Sequence, residues 1–202
     1  MADETHDPQT LAFYDREATA YAGRRLPKAS KGLSDFLAAL PAGAQVLDLG
    51  CGGGQDSEVM LAQGFEVTPL DGSAGLARIA QSRLGRPVRV GLFEDLEDVD
   101  AFDGVWANAS LLHVPTQALP LVLGRVRRAL KPGGLFQASY KAGDGGGRDT
   151  LGRYFNFPSE AELRAAYGQA GPWTDLTIRQ AAGHSYEQEA RTWLHVTVVR
   201  PA

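Results

Sequence analysis

Val46-Leu47-Asp48-Leu49-Gly50-Cys51-Gly52-Gly53-Gly54-Gln55-Asp56 is the stretch on which the fold turns. A short apolar run enters a cluster of glycines and leaves it as the start of a helix. Glycine is needed where the backbone turns tightly and a ligand approaches with no Cβ in the way. In doubly wound sheets that place lies beyond the carboxyl ends of the strands, at a topological switch point. A dinucleotide fingerprint counted from Gly50 needs a third glycine where Gln55 stands, which disfavours an NAD enzyme, and no Gly-Lys-Ser/Thr follows for a phosphate loop. Asp48, just before the turn, suits a cationic ligand portion such as an amino-acid ammonium better than a pyrophosphate. Asp71 ends the next apolar run, where an acid can accept hydrogen bonds from both ribose hydroxyls. A plain strand-end turn residue is the competing reading.

Outward from this loop the periodicity alternates. Asp7-Pro8 reads as a helix cap with proline in the first turn, followed by Leu11, Tyr14, Ala18 and Tyr21 on one face. Ser30 is the expected cap of a second helix carrying Leu33, Phe36, Leu37 and Leu40, stopped by Pro41-Ala42-Gly43. Strands are predicted over 45–49, 65–70, 88–90, 102–107 and 135–140, with helices over 56–63, 73–84 and 118–130 between them. Lys131-Pro132-Gly133-Gly134 turns the chain into the fifth strand. The segment 142–149 holds Gly143, Gly145, Gly146 and Gly147 and reads as a mobile loop, extending to Asn156 as a lid. Ser159 and Glu162 form a capping-box pattern for a helix that ends at Gly171-Pro172. Two β-rich runs, 173–181 and 191–200, close the chain as an antiparallel hairpin. The pattern predicts an α/β fold: a Rossmann-like, doubly wound, mostly parallel seven-stranded sheet with that C-terminal hairpin at its edge. Residues 1–202 read as one domain, with 1–40 as N-terminal helices covering the site and 41–202 as the core.

Composition excludes several classes. With 202 residues, 44% hydrophobic and 22% charged, the chain is an ordinary globular domain. Its net charge of −4, from 20 basic and 24 acidic residues, argues against a dedicated nucleic-acid binder. Arg125, Arg127, Arg128 and Lys131 fit the solvated side of a helix. The single cysteine, Cys51, permits no intrachain disulfide and reads as a small packing residue in the glycine turn. His6, His113, His184 and His195 are dispersed without metal-ligand spacing, so no metal is expected. The polar, acidic start is unlike a signal peptide, and no apolar run is long enough to cross a bilayer. A cytoplasmic protein without membrane or obligate protein partner is expected.

Asp48-Leu49-Gly50-Cys51-Gly52-Gly53-Gly54 resembles the glycine motif of class I S-adenosylmethionine-dependent methyltransferases. The resemblance continues through Asp71, through Phe102-Asp103-Gly104-Val105-Trp106-Ala107-Asn108 and through Leu130-Lys131-Pro132-Gly133-Gly134, covering roughly residues 10 to 170. It implies S-adenosylmethionine as cofactor and a role for each matching position. Gly50, Gly52 and Gly54 would pass under the methionine part, with Asp48 reaching its ammonium directly or through water. Asp71 would hold the ribose, Gly72 and Ser73 would lie against the adenosine, and Asn108 would sit beside the methionine. Phe93, Glu94 and Asp95 would border the adenine. Where the family often has Gly-Asp-Ala this chain has Gly91-Leu92-Phe93, so Glu94 or Asp95 would replace the missing acid. Tyr14 and Tyr21 resemble tyrosines that close over the cofactor in several small-molecule members, although an aromatic stripe on a helix also serves core packing.

The resemblance implies methyl transfer to a small-molecule acceptor by in-line displacement, in which the protein supplies alignment, desolvation and, where needed, removal of a proton. Acceptor-pocket candidates are His113, Tyr140, Lys141, Arg153 and Tyr154, with His113 either a base or a loop-packing residue. His184 and His195 read as structural or exposed. Among the members it resembles, the short tellurite-resistance and thiopurine-type methyltransferases act on soft, small acceptors, which makes chalcogen or thiol methylation one option. The rival reading is a non-catalytic S-adenosylmethionine-binding sensor or partner subunit.

Overall fold

A computed structural model describes residues 5–24, 29–184 and 189–202. The chain enters through α1 (Pro8–Arg16), α2 (Ala18–Ala22) and α3 (Leu33–Ala38). Asp7 caps α1 as expected, its carboxylate accepting the Thr10 amide at 2.7 Å. Ser30 does not cap α3. The helix starts later, from Gly32 in a left-handed conformation (φ +86°), and Ser30 is drawn into the cleft instead.

The alternation that follows builds β1 (Gln45–Leu49), α4 (Gln55–Ala62), β2 (Glu66–Asp71), α5 (Ala74–Leu84), β3 (Arg89–Val90), β4 (Phe102–Ala107), α6 (Leu119–Ala129) and β5 (Leu130–Lys141). Next come a two-stranded ribbon, β6 (Gly147–Arg148) with β7 (Tyr154–Phe155), then α7 (Glu160–Ala170) and the strands β8 (Thr174–His184) and β9 (Ala190–Val199). The main sheet has seven strands in the order β3-β2-β1-β4-β5-β9-β8. β1 pairs in parallel with both β2 and β4, so connections leave it in opposite directions and open a crevice at its carboxyl end. β9 runs antiparallel beside β5 and carries β8 on its far side, which is the expected edge hairpin.

Successive strand residues face opposite sides, so each strand serves two cores. Leu47, Val105 and Phe136 pack with α6 and α7 on one face. Val46, Val67 and Trp106 pack with α3 and α4 on the other. A third small cluster, Ala18, Ala22 and Leu76, seats α2 on α5.

Two segments depart from expectation. β5 begins at Leu130 because that residue already pairs with Phe102; the ladder then shifts register at the glycine turn and resumes at Gly104 and Leu135. The glycine-rich stretch expected as a loose loop is tied down. Gly147 pairs with Phe155 and Arg148 with Tyr154. Arg148 also donates to both oxygens of Asp7, at 3.0 and 2.6 Å, and the Tyr154 amide donates to Thr10 Oγ1 at 2.8 Å. The ribbon and α1 thus form one cover over the crevice. Among the described residues no helix is long and apolar enough to cross a membrane.

Candidate functional site

The crevice at the carboxyl ends of β1, β2, β4 and β5 holds a cleft of two adjoining lobes. One is lined by His6, Leu11, Asp71, Ser73, Leu92 and Phe93. The larger, about 570 Å³, is lined by Asp48, Asn108, Lys141, Arg153, Phe155 and Trp193. Tyr14, Tyr21, Gly50, Gly52 and His113 belong to both lobes and mark where they meet.

Gly50 and Gly52 form the floor with φ of +83° and +56°. The amides of Gly50 and Cys51 donate to Leu70 O at 2.8 and 2.9 Å, which ties the loop to β2. A Cβ on Gly52 would stand in the cavity, its nearest neighbour Tyr21 Cε1 at 3.9 Å. Gly54 differs from what its place in the motif implies. It lines neither lobe, and its missing Cβ leaves room for Ala80, so it serves the packing of α4 against α5.

The acids divide between the lobes. Asp48 is buried, accepts Ser57 Oγ at 2.6 Å, and is pushed up to about 8 by burial and by Asp56 and Asp71 nearby. Asp71 accepts Gly52 N at 2.7 Å and Ser73 N at 2.8 Å; burial raises it to about 6 against the pull of those two amides. A carboxylate has about four acceptor sites, so Asp71 keeps capacity for hydroxyl donors. Gly72 lies beside it with no Cβ to obstruct Leu11. Ser73 uses its hydroxyl to cap α5 and to donate to Asp15 Oδ1 at 2.7 Å. Phe93 lines the first lobe, and Glu94 next to it pairs with His6 Nδ1 at 3.0 Å through one oxygen. The other, Oε2, is buried and has no partner among the described residues. Asp95 is turned to its own turn, accepting the Leu92 amide at 3.1 Å. Asn108 is held at both ends, donating to Ser30 Oγ and accepting from Ser139 Oγ, each at 2.8 Å.

At the junction, Tyr14 and Tyr21 meet edge to face at 5.0 Å between ring centroids. His113 Nδ1 lies 2.6 Å from the carbonyl of Tyr154, so it carries the proton. Nε2 is then an acceptor, and the Tyr14 hydroxyl donates to it at 2.8 Å. Burial lowers His113 to about 3 and drives the Tyr14 phenol well above its ordinary value, so the imidazole stays neutral and the phenol protonated.

Of the acceptor-pocket candidates, His113, Lys141 and Arg153 line the larger lobe. Tyr140 does not: it is fully buried among α7 residues with its hydroxyl 3.2 Å from that of Tyr167. Tyr154 contributes its carbonyl to His113, while its ring lies outside, on Gly146 and near Thr116. Phe155, Trp193 and Asp15 were not singled out from sequence, and Ser30 was read only as a helix cap.

These residues fit the cofactor that the resemblance implies. They offer a glycine floor where a Cβ would stand in the cavity and, in the first lobe, a strand-end carboxylate, Asp71, that keeps acceptor capacity beyond the two amides it already takes; Glu94 and Asp95 line neither lobe. Comparison with known proteins agrees. Residues 46–134 match the family described as a methyltransferase domain. A ubiquinone biosynthesis O-methyltransferase from Paramagnetospirillum magneticum is 30% identical over 209 residues, 93% of this chain and 77% of that protein. Namesakes from Xanthomonas oryzae pv. oryzae are 40% identical over 100 residues, where this chain spans 41% of their length. Among solved structures, a methyltransferase from Methanosarcina mazei matches with TM-score 0.75 at 17% identity, over 85% of this chain and 98% of that one. The 1,6-didemethyltoxoflavin-N1-methyltransferase of Burkholderia thailandensis, solved with 1,6-didemethyltoxoflavin and S-adenosylhomocysteine, matches with TM-score 0.68 at 24% identity, over 95% and 88%.

Proposed function

We propose how this chain works from what it is: it belongs to the class I S-adenosylmethionine-dependent methyltransferases and transfers a methyl group to a small-molecule acceptor by in-line displacement. The observation that carries the site assignment is the two-lobed cleft floored by Gly50 and Gly52, with Asp71 in one lobe and Asp48 in the other. The Asp71 lobe takes the adenosine. Asp71 offers the ribose its remaining acceptor sites, and Phe93 borders the adenine. Asp48 and Asn108 border the methionine part. Tyr14 and Tyr21 cover the junction.

When bound, the cofactor supplies a methyl group already activated on a sulfonium, so alignment and exclusion of water dominate the protein's task. Exclusion falls to α1 and the β6–β7 ribbon, clasped through Arg148 and Asp7. Tyr14 Oη turns its proton toward His113 Nε2 and accepts from the Arg153 guanidinium at 3.5 Å, which leaves it one lone pair at the junction. It orients an acceptor hydroxyl, whose proton can pass to Tyr14 Oη as Tyr14 gives its own to His113 Nε2. An imidazole held near 3 is a weak base, so the pair suits an acceptor already acidic or anionic over an aliphatic alcohol. A cytoplasmic setting and an acceptor that is not a nucleic acid complete the proposal; the charge of −4 and the single, buried thiol support them.

Calorimetric titration with S-adenosylhomocysteine and with NAD tests the site. Binding of the first and not the second is expected, and the reverse would overturn it. Release of S-adenosylhomocysteine in the presence of acceptors separates the enzyme from a cofactor sensor.

A further inference from the structure

His113 ends a single helical turn, Leu111–His113, which is too short to fix a side chain through its own hydrogen bonds. What fixes it is β7 and the residue after that strand. Tyr154 faces two ways along its backbone. Its amide donates to Thr10 Oγ1 of α1 at 2.8 Å, and its carbonyl accepts from His113 Nδ1 at 2.6 Å. Phe155 lays its ring against the imidazole, with 4.5 Å between centroids. Asn156, which is 1% exposed, takes the backbone on either side of His113. Its amide donates to Leu112 O at 2.8 Å, and its Nδ2 donates to Leu111 O at 3.0 Å and to Val114 O at 3.2 Å.

That arrangement asks for asparagine. A carboxamide carries two N–H donors on one nitrogen, so one side chain serves two carbonyls at once; a serine offers one donor and an ionised aspartate none. Asn156 lines neither lobe of the cleft, so its effect on the reaction passes through His113. A carbonyl can only accept, so Tyr154 O keeps the proton on Nδ1 and leaves Nε2 free to accept from Tyr14 Oη at 2.8 Å. Moving the turn by about 1 Å would carry the Nδ1 contact out of hydrogen-bonding range. The ring could then hold its proton on Nε2, where it accepts nothing.

We propose that Asn156 is a positioning residue, which holds the 111–114 turn against β7 and so keeps His113 in the tautomer that can take the Tyr14 proton. This rests on the proton relay of the proposed function. It ties that relay to the cover, because the strand that sets the tautomer is the one seated on α1.

The test is nitrogen NMR of His113 in histidine-labelled protein saturated with S-adenosylhomocysteine. In Asn156→Ala, about a tenth or more of the rings should appear as the Nε2–H form, with cofactor affinity within about threefold of wild type. Asn156→Ser keeps one donor, should lie between the two, and stands in should the alanine variant fail to fold. Tyr14→Phe should retain the Nδ1–H form, because the Tyr154 carbonyl suffices to set it. Val67→Ala, which opens a cavity in the core on the α3 and α4 face, should lose stability and retain it too. An unchanged tautomer in the Asn156 variants would overturn the proposal, as would its loss in Tyr14→Phe or an equal loss in Val67→Ala. Results on the wild type bear on the underlying reading instead: no binding of S-adenosylhomocysteine removes the cofactor site, and an Nε2–H or charged ring removes the relay.

Discussion

Gly50 and Gly52 share a loop, a positive φ and a place on the cleft floor, yet replacing them should fail in different ways. An alanine at either position bears the left-handed backbone cost, roughly 1–2 kcal/mol. At Gly52 that is nearly all, since the new Cβ meets only Tyr21 Cε1 at 3.9 Å. At Gly50 the Cβ would collide with Ser110 Cβ. Ser110 cannot swing aside, because its hydroxyl donates to Leu49 O at 2.6 Å and the residue is buried. Overpacking of this kind adds about 1–3 kcal/mol, for a total near 2–5 kcal/mol. At about 2–4 °C per kcal/mol for a chain of this size, Gly52→Ala should lower the melting temperature by about 2–8 °C and Gly50→Ala by about 4–20 °C. Binding should separate the two sites further. Gly52→Val puts a branched side chain where the ligand lies and should abolish S-adenosylhomocysteine binding while the protein still melts cooperatively. Scanning calorimetry with and without ligand reads both effects. Equal melting temperatures for the two alanine variants, or wild-type affinity in Gly52→Val, would refute the account of the loop.

Burial raises Asp48 to about 8 and Asp71 to about 6, so folding takes up protons there and stability falls as pH rises; His113, lowered to about 3, instead loses stability as pH falls below 6.5. Between about pH 6.5 and 8 the Asp48 slope stands alone, and Asp48→Asn should flatten the melting temperature across that window. Asp71→Ala disturbs Gly52 and Ser73 as well as any ribose, so the informative quantity is its coupling with a 2′-deoxyribose analogue, expected at about 1.5–3 kcal/mol by double-mutant cycle and near zero if Asp71 does not hold the ribose. Nitrogen NMR of His113 should find the neutral Nδ1–H tautomer from pH 8 down to about 4, and an imidazolium titrating near 6.5 would break the Tyr14 relay. The amides of Tyr154 and Asn156, bonded to Thr10 Oγ1 and Leu112 O at 2.8 Å, should resist exchange without ligand; rapid exchange there would mean that the ribbon is a loose loop.

What was legible in the sequence was whatever one segment specifies by itself. The strands 45–49 and 102–107 stand where the apolar runs put them, and Ser159 with Glu162 forms the expected capping box. The glycine loop and Asp71 were legible for the same reason, since a strand, a turn and a helix start are contiguous. Ser30 was misread because its partners are Asn108 and Asp56, both distant in sequence. The 142–156 segment was misread because what orders it is Asp7 and Thr10 on α1. Glycine content reports what a backbone is free to do, and only a distant partner decides what it does.

The misassigned pocket residues follow from strand parity. Neighbours along a strand face opposite ways, so Tyr140 and Lys141 could never both line one cleft. With Lys141 inside it, Tyr140 had to enter the core, where α7 supplies Tyr167. The same rule separates Tyr154 from Phe155, the two residues of β7. On β9, buried Leu194 and Val196 send Trp193 to the other face, toward Lys141. Parity and the β5–β9 register thus select Lys141 and Trp193 together, while Phe155 comes from the separate β6–β7 ribbon. Three strands and the residue preceding β7 then deliver two cations and two aromatic rings to one wall. None of those segments carries a motif for it, so the make-up of this wall depends on the β5–β9 register and on where the ribbon packs, and not on any contiguous run of residues.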